Sequence, residues 1–239
     1  IYISTPFLYR YHAAPKDYKR YTLDYFDKSS LNLKLEKVSN DTYLKLYSIE
    51  STSPIVKDTS TLESVLGFSG NRDDFSLDLS FESYETMGKI SSDRYEFIYP
   101  NYSIYKNIDF DQNILSDLDI TTTGHQKKYS TNIYEIVQVN DLLMSSQKFI
   151  SEKGIENNFQ TLFKNVNSKG TNSSKFKEKT QSEILSIFKY DFSYPLRKNE
   201  EKFIKFLTPK ISIRHSPNDT KNIKNEDRRL NKENIFSLN

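Results

Sequence analysis

Nine consecutive residues, Asp74 to Glu82, alternate without a break between polar and apolar side chains. Phe75, Leu77, Leu79 and Phe81 hold one parity, and Asp74, Ser76, Asp78, Ser80 and Glu82 hold the other. Successive side chains of a β-strand point to opposite faces, so a strand here has one apolar face and one polar face. A helix would scatter both sets around its axis, so the period of two selects strand. The polar face carries three carboxylates, Asp74, Asp78 and Glu82, which resist burial in a dry core. One side of this strand must meet hydrocarbon, from protein or from lipid, and the other must meet water.

The same logic recurs along the chain. Ser29–Leu46 contains Leu31, Leu33 and Leu35 alternating with Asn32, Lys34 and Glu36, and Ser60–Ser69 puts Leu62, Leu66 and Phe68 on one parity. Gly70-Asn71 has the composition of a tight hairpin turn into the Asp74–Glu82 strand, since both residues tolerate positive φ. Tyr95, Phe97 and Tyr99 open another strand, with Pro100 inside it; proline removes a ladder donor, so a bulge or a strand edge is expected there. Ile114, Leu118 and Ile120 form a strand that Gly124 is expected to close, and Tyr129, Thr131, Ile133, Val137 and Val139 continue the period. Ile155–Asn167 fits both a helical stripe and a strand; its all-strand neighbours favour strand. Ile184, Phe188, Tyr190, Phe192 and Tyr194 form a long strand ended by Pro195; Leu207, Ile211 and Ile213 form another, and Asn234–Asn239 starts a further one. Ile1–Tyr25 reads as irregular chain or strand ends. Polar connections fall at Ser48–Asp58, Met87–Asp93, Asn167–Thr180 and Ser216–Glu233. The expected total is nine or ten antiparallel strands, because parallel strands are buried on both faces and read as continuous apolar runs.

Composition narrows the class. The 239 residues carry a net charge of +2, too mild to indicate a nucleic-acid partner. Cysteine is absent, which removes disulfides, thiolate metal sites and cysteine nucleophiles. A mean hydropathy of −0.71 and the lack of any apolar run of about 18 residues exclude a helical membrane protein. They leave a membrane β-barrel open, since its strands bury every second residue in lipid. Alternation alone therefore leaves two readings: an outer-membrane barrel, or a soluble sandwich or solenoid. No signal peptide is visible and the chain opens at Ile1, so it reads as an excerpt of a longer protein.

Several strings resemble the LptD family, the LPS-assembly proteins of the Gram-negative outer membrane. Leu207-Thr208-Pro209-Lys210 is followed by His215-Ser216-Pro217-Asn218-Asp219-Thr220, then by Asp227-Arg228-Arg229-Leu230-Asn231, then by Asn234-Ile235-Phe236-Ser237-Leu238-Asn239. Leu33–Leu44, Arg94–Pro100 and Ser193–Leu196 are similar to further family strings, in the family's order. The resemblance implies an all-β antiparallel meander forming an incomplete arc of a large outer-membrane β-barrel across residues 1–239. The periplasmic domain and the closing strands would lie outside the chain. It implies a non-enzymatic role in inserting lipopolysaccharide into the outer leaflet. The implied partners are lipopolysaccharide, outer-membrane lipid, a plug lipoprotein of the LptE type and periplasmic bridge proteins. A porin-like or ligand-gated channel of another family is the alternative.

Candidate chemistry is sparse. His12, His125 and His215 are far apart and read as satisfied or solvated histidines, with no cofactor or metal implied. Asp227-Arg228-Arg229 could clamp a phosphate, since arginine forks match it, but a loop salt bridge is the simpler reading. The expected site is a pair of surfaces. Phe75, Leu77, Leu79 and Phe81 face lipid, and Asp74, Asp78 and Glu82 face a hydrated lumen. If Asn140-Asp141 lies within one continuous strand, the three longest connections share one end of the strands, which would be extracellular.

Overall fold

The structure, a computed structural model, describes residues 8–13, 25–38, 41, 61–110, 115–130, 132–199, 203–217 and 232–238. These form strands β1 (Leu8–Ala13), β2 (Lys28–Val38), β3 (Thr61–Arg72), β4 (Phe75–Thr86), β5 (Tyr95–Asp109), β6 (Leu115–Tyr129), β7 (Ile133–Ser146), β8 (Phe149–Ile150), β9 (Glu156–Thr171), β10 (Gln181–Ser193), β11 (Leu196–Asn199), β12 (Ile204–Leu207), β13 (Lys210–Ser216) and β14 (Glu233–Leu238). A single helical turn, α1 (Ser91–Arg94), precedes β5. The main sheet is an antiparallel meander in the order β1-β2-β3-β4-β5-β6-β7-β9-β10-β13-β14, with β8 pairing β9, while β11 and β12 form a separate two-stranded sheet. Its outer strands, β1 and β14, do not pair with each other, so the sheet is open among the described residues.

The chain divides into two compact units. The first holds Ile1–Ile104, Thr123–Gln138 and Ser168–Lys179, and the second holds Tyr105–Thr122, Val139–Asn167 and Thr180–Asn239. In the first unit the register places Leu31 opposite Phe68 and Phe68 opposite Leu79, with Leu33, Leu66 and Phe81 in the next row. Directly opposed residues of an antiparallel pair share a face, so these rows make one apolar surface across β2–β4. The other face carries Ser30, Ser69 and Asp78 in one row and Lys34, Val65 and Glu82 in another. In the second unit Tyr190 opposes Ile213 and Ile213 opposes Phe236, while Phe192, Ile211 and Leu238 form the next row. Lys189 and Arg214 share the opposite face with Asp191 and Ser212.

Burial runs opposite to that of a soluble domain. Among the described residues six apolar ones are buried: Val38, Leu62 and Val137 in the first unit, and Val139, Val166 and Leu185 in the second. Twenty-five large apolar side chains of the described residues are exposed, Leu31 at 65% and Phe236 at 67% among them. A sandwich would turn these rows against a second sheet. Among the described residues none is present besides the β11–β12 hairpin.

Several turns lie elsewhere than the sequence suggests. β3 and β4 pair without interruption to Arg72 opposite Phe75, so the turn is Asp73-Asp74 and Gly70 pairs with Leu77 inside the ladder. A Cβ at Gly70 would stand 2.7 Å from the Phe26 ring, so that glycine makes room for an aromatic side chain. Gly124 likewise lies inside β6, where a Cβ would meet the Tyr102 hydroxyl at 2.5 Å. The β6–β7 connection follows Tyr129 instead, with Ser130 and Asn132 at φ 43° and 60°. Leu207 and Ile211 do not share a strand: Leu207 closes the β11–β12 hairpin, and β13 begins at Lys210. Among the described residues there are fourteen strands, three of them (β8, β11 and β12) of four residues or fewer, against the expected nine or ten. Of residues 155–167 all but Ile155 fall in strand, and β7 passes through Asn140-Asp141 without a turn. The β9 strand runs on to Thr171, shortening the connection expected at Asn167–Thr180. The Ser48–Asp58 connection, most of Ser216–Glu233 and the Asp227–Arg229 string lie outside the described residues.

β5 crosses Pro100 as one strand, with a cis Tyr99-Pro100 bond. The Tyr95 hydroxyl reaches Glu85, and the Asn101 amide reaches Glu82. Positions 85 and 82 of β4 lie on opposite faces, whereas 95 and 101 share a parity. The alternation therefore slips by one residue around Pro100, the bulge expected of an in-strand proline.

Gly67 and Gly70 provide an internal comparison. A Cβ at Gly67 has Asn32 as its nearest neighbour, at 3.9 Å, so alanine fits there. Gly70→Ala is expected to cost about 1–3 kcal/mol through overpacking against Phe26. Gly67→Ala should be neutral or slightly stabilising, and Phe26→Ala should remove most of the Gly70→Ala penalty. Urea unfolding of the folded protein measures all three, and equal costs at the two glycines would contradict the seating of Phe26.

Candidate functional site

The polar face of β2–β5, within the first unit, is a hydrogen-bonded surface. Ser69 donates to the Asp78 carboxylate at 2.6 Å. Glu82 accepts from Ser80, from the Tyr84 hydroxyl at 2.8 Å and from the Asn101 amide at 3.2 Å. Lys34 pairs with Glu63 at 2.5 Å and with Glu36 at 3.7 Å, and the Glu63 backbone N–H donates to Glu36. Beside these groups runs an open groove of about 280 Å³, lined by Ser30, Asn32, Ser69, Ser80 and Asn101 together with Phe68, Leu79 and Tyr102. Hydroxyls and amides both donate and accept, and the rings and Leu79 add apolar surface, so the groove can offer a sugar both hydrogen bonds and an apolar face.

The apolar face of the same strands ends in rings. Near the Asp73-Asp74 turn, Phe26 stacks on Phe75 at 6.0 Å, Tyr25 meets both edge-on, and the Arg72 guanidinium lies 5.5 Å from the Tyr25 ring. At the far end of β4, Tyr95, Phe97 and Tyr99 contact in series at 6.1 and 6.0 Å. Between the clusters lie Leu77, Leu79 and Phe81. From Phe75 to Phe81 a strand rises roughly 20 Å, close to the ~25 Å apolar band of a membrane barrel wall.

The expected site residues fall as follows. Phe75, Leu77, Leu79 and Phe81 share one face of β4, with Phe81 44% exposed. Asp78 and Glu82 share the other face and are hydrogen-bonded there. Asp74 belongs to the turn, where Arg72 approaches it at 3.3 Å. The histidines lie on three strands, and His215 is 2.6 Å from the Asn234 side chain. Among the described residues no group of three or more His, Asp or Glu side chains is placed to hold a metal.

Two arrangements were not legible in the sequence. Glu135 is buried at 3% exposure and accepts from Tyr129 at 3.0 Å and from Ser173 at 2.5 Å, tying the segment after β9 to β7. Its parity matches Val137, which disguises it as an interruption in an apolar run. The second is a clasp. Arg94 donates to both Asp41 oxygens, at 3.0 and 2.6 Å, and to Glu85 at 2.6 Å, while the Gly88 N–H also reaches Asp41. Asp41 follows β2 closely, so the clasp holds the start of the β2–β3 connection to the β4–β5 connection. The second unit has its own polar cavity, of about 500 Å³, where Lys148 pairs with Glu156 at 2.6 Å and Lys210 with Asp191 at 3.3 Å.

The clasp carries a pH signature. The Arg94 hydrogen bonds, followed by the Gly88 N–H, hold the Asp41 carboxyl below its ordinary value. A depressed carboxyl contributes stability that is complete above its unfolded value and is lost as pH falls through its folded value. Asp41→Asn should therefore lower the unfolding temperature at pH 7, and the gap from the unsubstituted protein should close as pH falls below the ordinary aspartate range. A gap that persists unchanged at acid pH would show that the carboxylate charge is not the source.

No curated protein matches the chain. The family model of LptD, LPS transport system D, matches residues 19–239. With that span, a wholly β antiparallel meander and a sheet that exposes its apolar face, the chain belongs to the LptD family.

Proposed function

We propose that this chain forms part of the wall of an outer-membrane barrel that delivers lipopolysaccharide to the outer leaflet of a Gram-negative outer membrane. The carrying observation is the pair of faces. Rows such as Leu31–Phe68–Leu79 and Ile213–Phe236 are apolar and meet no second sheet among the described residues, while the reverse side of β2–β5 is hydrogen-bonded. Exposed apolar rows of this extent mark a surface that another apolar phase covers. Aromatic clusters at both ends of the β4 stripe have the arrangement of interfacial girdles. In this reading Phe75, Leu77, Leu79 and Phe81 meet lipid. Asp78, Glu82 and the turn residue Asp74 meet lumen water, where an LptE-type lipoprotein and the sugars of the cargo are accommodated. The reverse orientation would place carboxylates in hydrocarbon at several kcal/mol each.

The work is done by surfaces. Acyl chains travel beside hydrocarbon, sugars and phosphates travel beside hydroxyls, amides and water, and no bond is made or broken. Periplasmic bridge proteins would hand on the cargo. Antiparallel order sends successive connections to alternate ends of the strands, so the connections after β2, β9 and β13 share one end. That end is extracellular in this reading, because barrels of this kind keep their periplasmic turns short; the β10–β13 connection, which holds the β11–β12 hairpin, is the exception at the other end.

In the full-length protein, Leu77→Arg or Leu79→Arg should cost roughly 2–4 kcal/mol of barrel stability near the bilayer midplane. Asp78→Asn should be nearly silent, since the amide oxygen can still accept from Ser69. Heat-modifiable migration of the assembled barrel reads the difference, and equal tolerance of all three would end the proposal. A soluble core would also reject Leu77→Arg, so labelling separates the two cases. Leu79→Cys should react with a lipid-soluble maleimide and not with a membrane-impermeant one, and Asp78→Cys should do the reverse.

A further inference from the structure

The β11–β12 hairpin has no place in the wall. It pairs with neither β10 nor β13 and forms its own two-stranded sheet, with all eight of its strand residues exposed. It is nevertheless strongly apolar: Phe206 is 71% exposed, Leu207 64% and Ile204 49%, with Leu196 and Phe203 beside them. It is also basic. Residues 196–207 contain four lysines or arginines against two glutamates, a net +2. Cations and rings are interleaved: the Arg197 guanidinium lies 5.9 Å from the Phe206 ring centre, and the Lys205 ammonium 4.8 Å from that of Phe203.

Its position is set by the strands around it. β10 ends at Ser193 opposite Lys210, where β13 starts, so the hairpin projects from that end of the pair. The connection after β13 leaves from the other end. The exposed row of Tyr190, Ile213 and Phe236 leads along β10 through Phe192 to Tyr194, 44% exposed and next to Leu196. The β7–β9 connection reaches the same place. A Cβ on Gly154 would lie 3.6 Å from the Tyr194 ring, and that connection exposes Phe149 and Ile150 next to Lys148.

We infer that the β11–β12 hairpin is a membrane-surface foot. It docks on the leaflet at the end of the strands opposite the β13–β14 connection and takes anionic phospholipid headgroups. Ring and aliphatic side chains enter the boundary between headgroup and acyl chain, and Arg197, Lys198 and Lys205 meet the phosphates. The apolar stripe of the wall runs directly into it, so lipid that covers the stripe also reaches the hairpin. Its excess positive charge favours an anionic surface over a zwitterionic one. The inference rests on the membrane reading above.

The test places an environment-sensitive fluorophore at Phe206→Cys in the full-length protein and, separately, at Leu79→Cys, with labelling of the unsubstituted protein subtracted. Vesicles are phosphatidylcholine alone or phosphatidylcholine with phosphatidylglycerol, each with lipids brominated at shallow acyl positions. Quenching at position 206 that increases with phosphatidylglycerol is expected, and Arg197→Glu, Lys198→Glu and Lys205→Glu together should abolish that increase. Absence of quenching at 206 with quenching retained at 79 overturns the foot and leaves the membrane wall standing. Absence at both positions overturns the wall as well. A label at 206 that is blue-shifted but unquenched means a protein covers the hairpin, and equal quenching in both vesicle types means the charge is not read; either result overturns the inference.

Discussion

The backbone hydrogen-bond ladder is the constraint on which everything else here depends. A chain with apolar side chains facing lipid cannot leave N–H and C=O groups bare in hydrocarbon, and a strand satisfies its own only through neighbours. The meander supplies those neighbours in sequence order, β1 to β14, so the sheet needs few long excursions. The ladder then frees the side chains. Once pairing is met by backbone, one face can remain apolar and uncovered, as Leu31, Leu66 and Phe81 do, without losing strand structure. The small buried set, Leu62 and Val137 in one unit and Val139 and Leu185 in the other, would be inadequate for a soluble domain of this length.

That division of labour explains why period-two alternation was readable and local punctuation was not. The faces of β4 follow from parity alone, because successive side chains of a strand point to opposite faces and the register with β3 keeps the apolar set together. Glycine was the misleading signal. Gly70 and Gly124 read as turn or strand-end residues, yet each sits in mid-ladder beneath an aromatic ring, Phe26 and Tyr102 respectively. A chain with 16 Phe and 17 Tyr places many rings on a pleated surface, and a ring lying flat against a strand needs a neighbour without a Cβ. The true turns, Asp73-Asp74 and Ser130 to Asn132, use aspartate, serine and asparagine, whose short polar side chains also suit turns.

The β11–β12 hairpin was hidden for a different reason. Leu207, Ile211 and Ile213 share a parity, so a simple reading joins them across Thr208-Pro209. Proline removes a ladder donor, which β5 absorbs with a slip at Pro100; at Pro209 the chain turns instead, with the Tyr194 N–H donating to the Pro209 carbonyl. Contacts far apart in sequence were also beyond reach. Nothing local to Asp41 announces Arg94, and nothing local to Glu135 announces Ser173. The fold class was thus legible from one strand, whereas the clasp and the buried carboxylate depend on which loops meet.

On the proposed function, the polar face has to guide a charged, sugar-rich cargo without trapping it. A site of strong affinity would stop transport, since passage requires favourable entry and easy release. On β2–β5 the charged groups are engaged with one another: Lys34 is shared between Glu63 and Glu36, and Glu82 is held by Ser80, Tyr84 and Asn101. The groove beside them sets Phe68, Leu79 and Tyr102 among serines and asparagines. Their hydrogen bonds exchange with water at little net cost, about 1 kcal/mol each, so a sugar can move from one to the next. Internal pairing of the charges lowers the affinity of the face for phosphates while keeping it wet. On the proposed function, the same pairs that stabilise β2–β4 also keep the surface permissive to cargo.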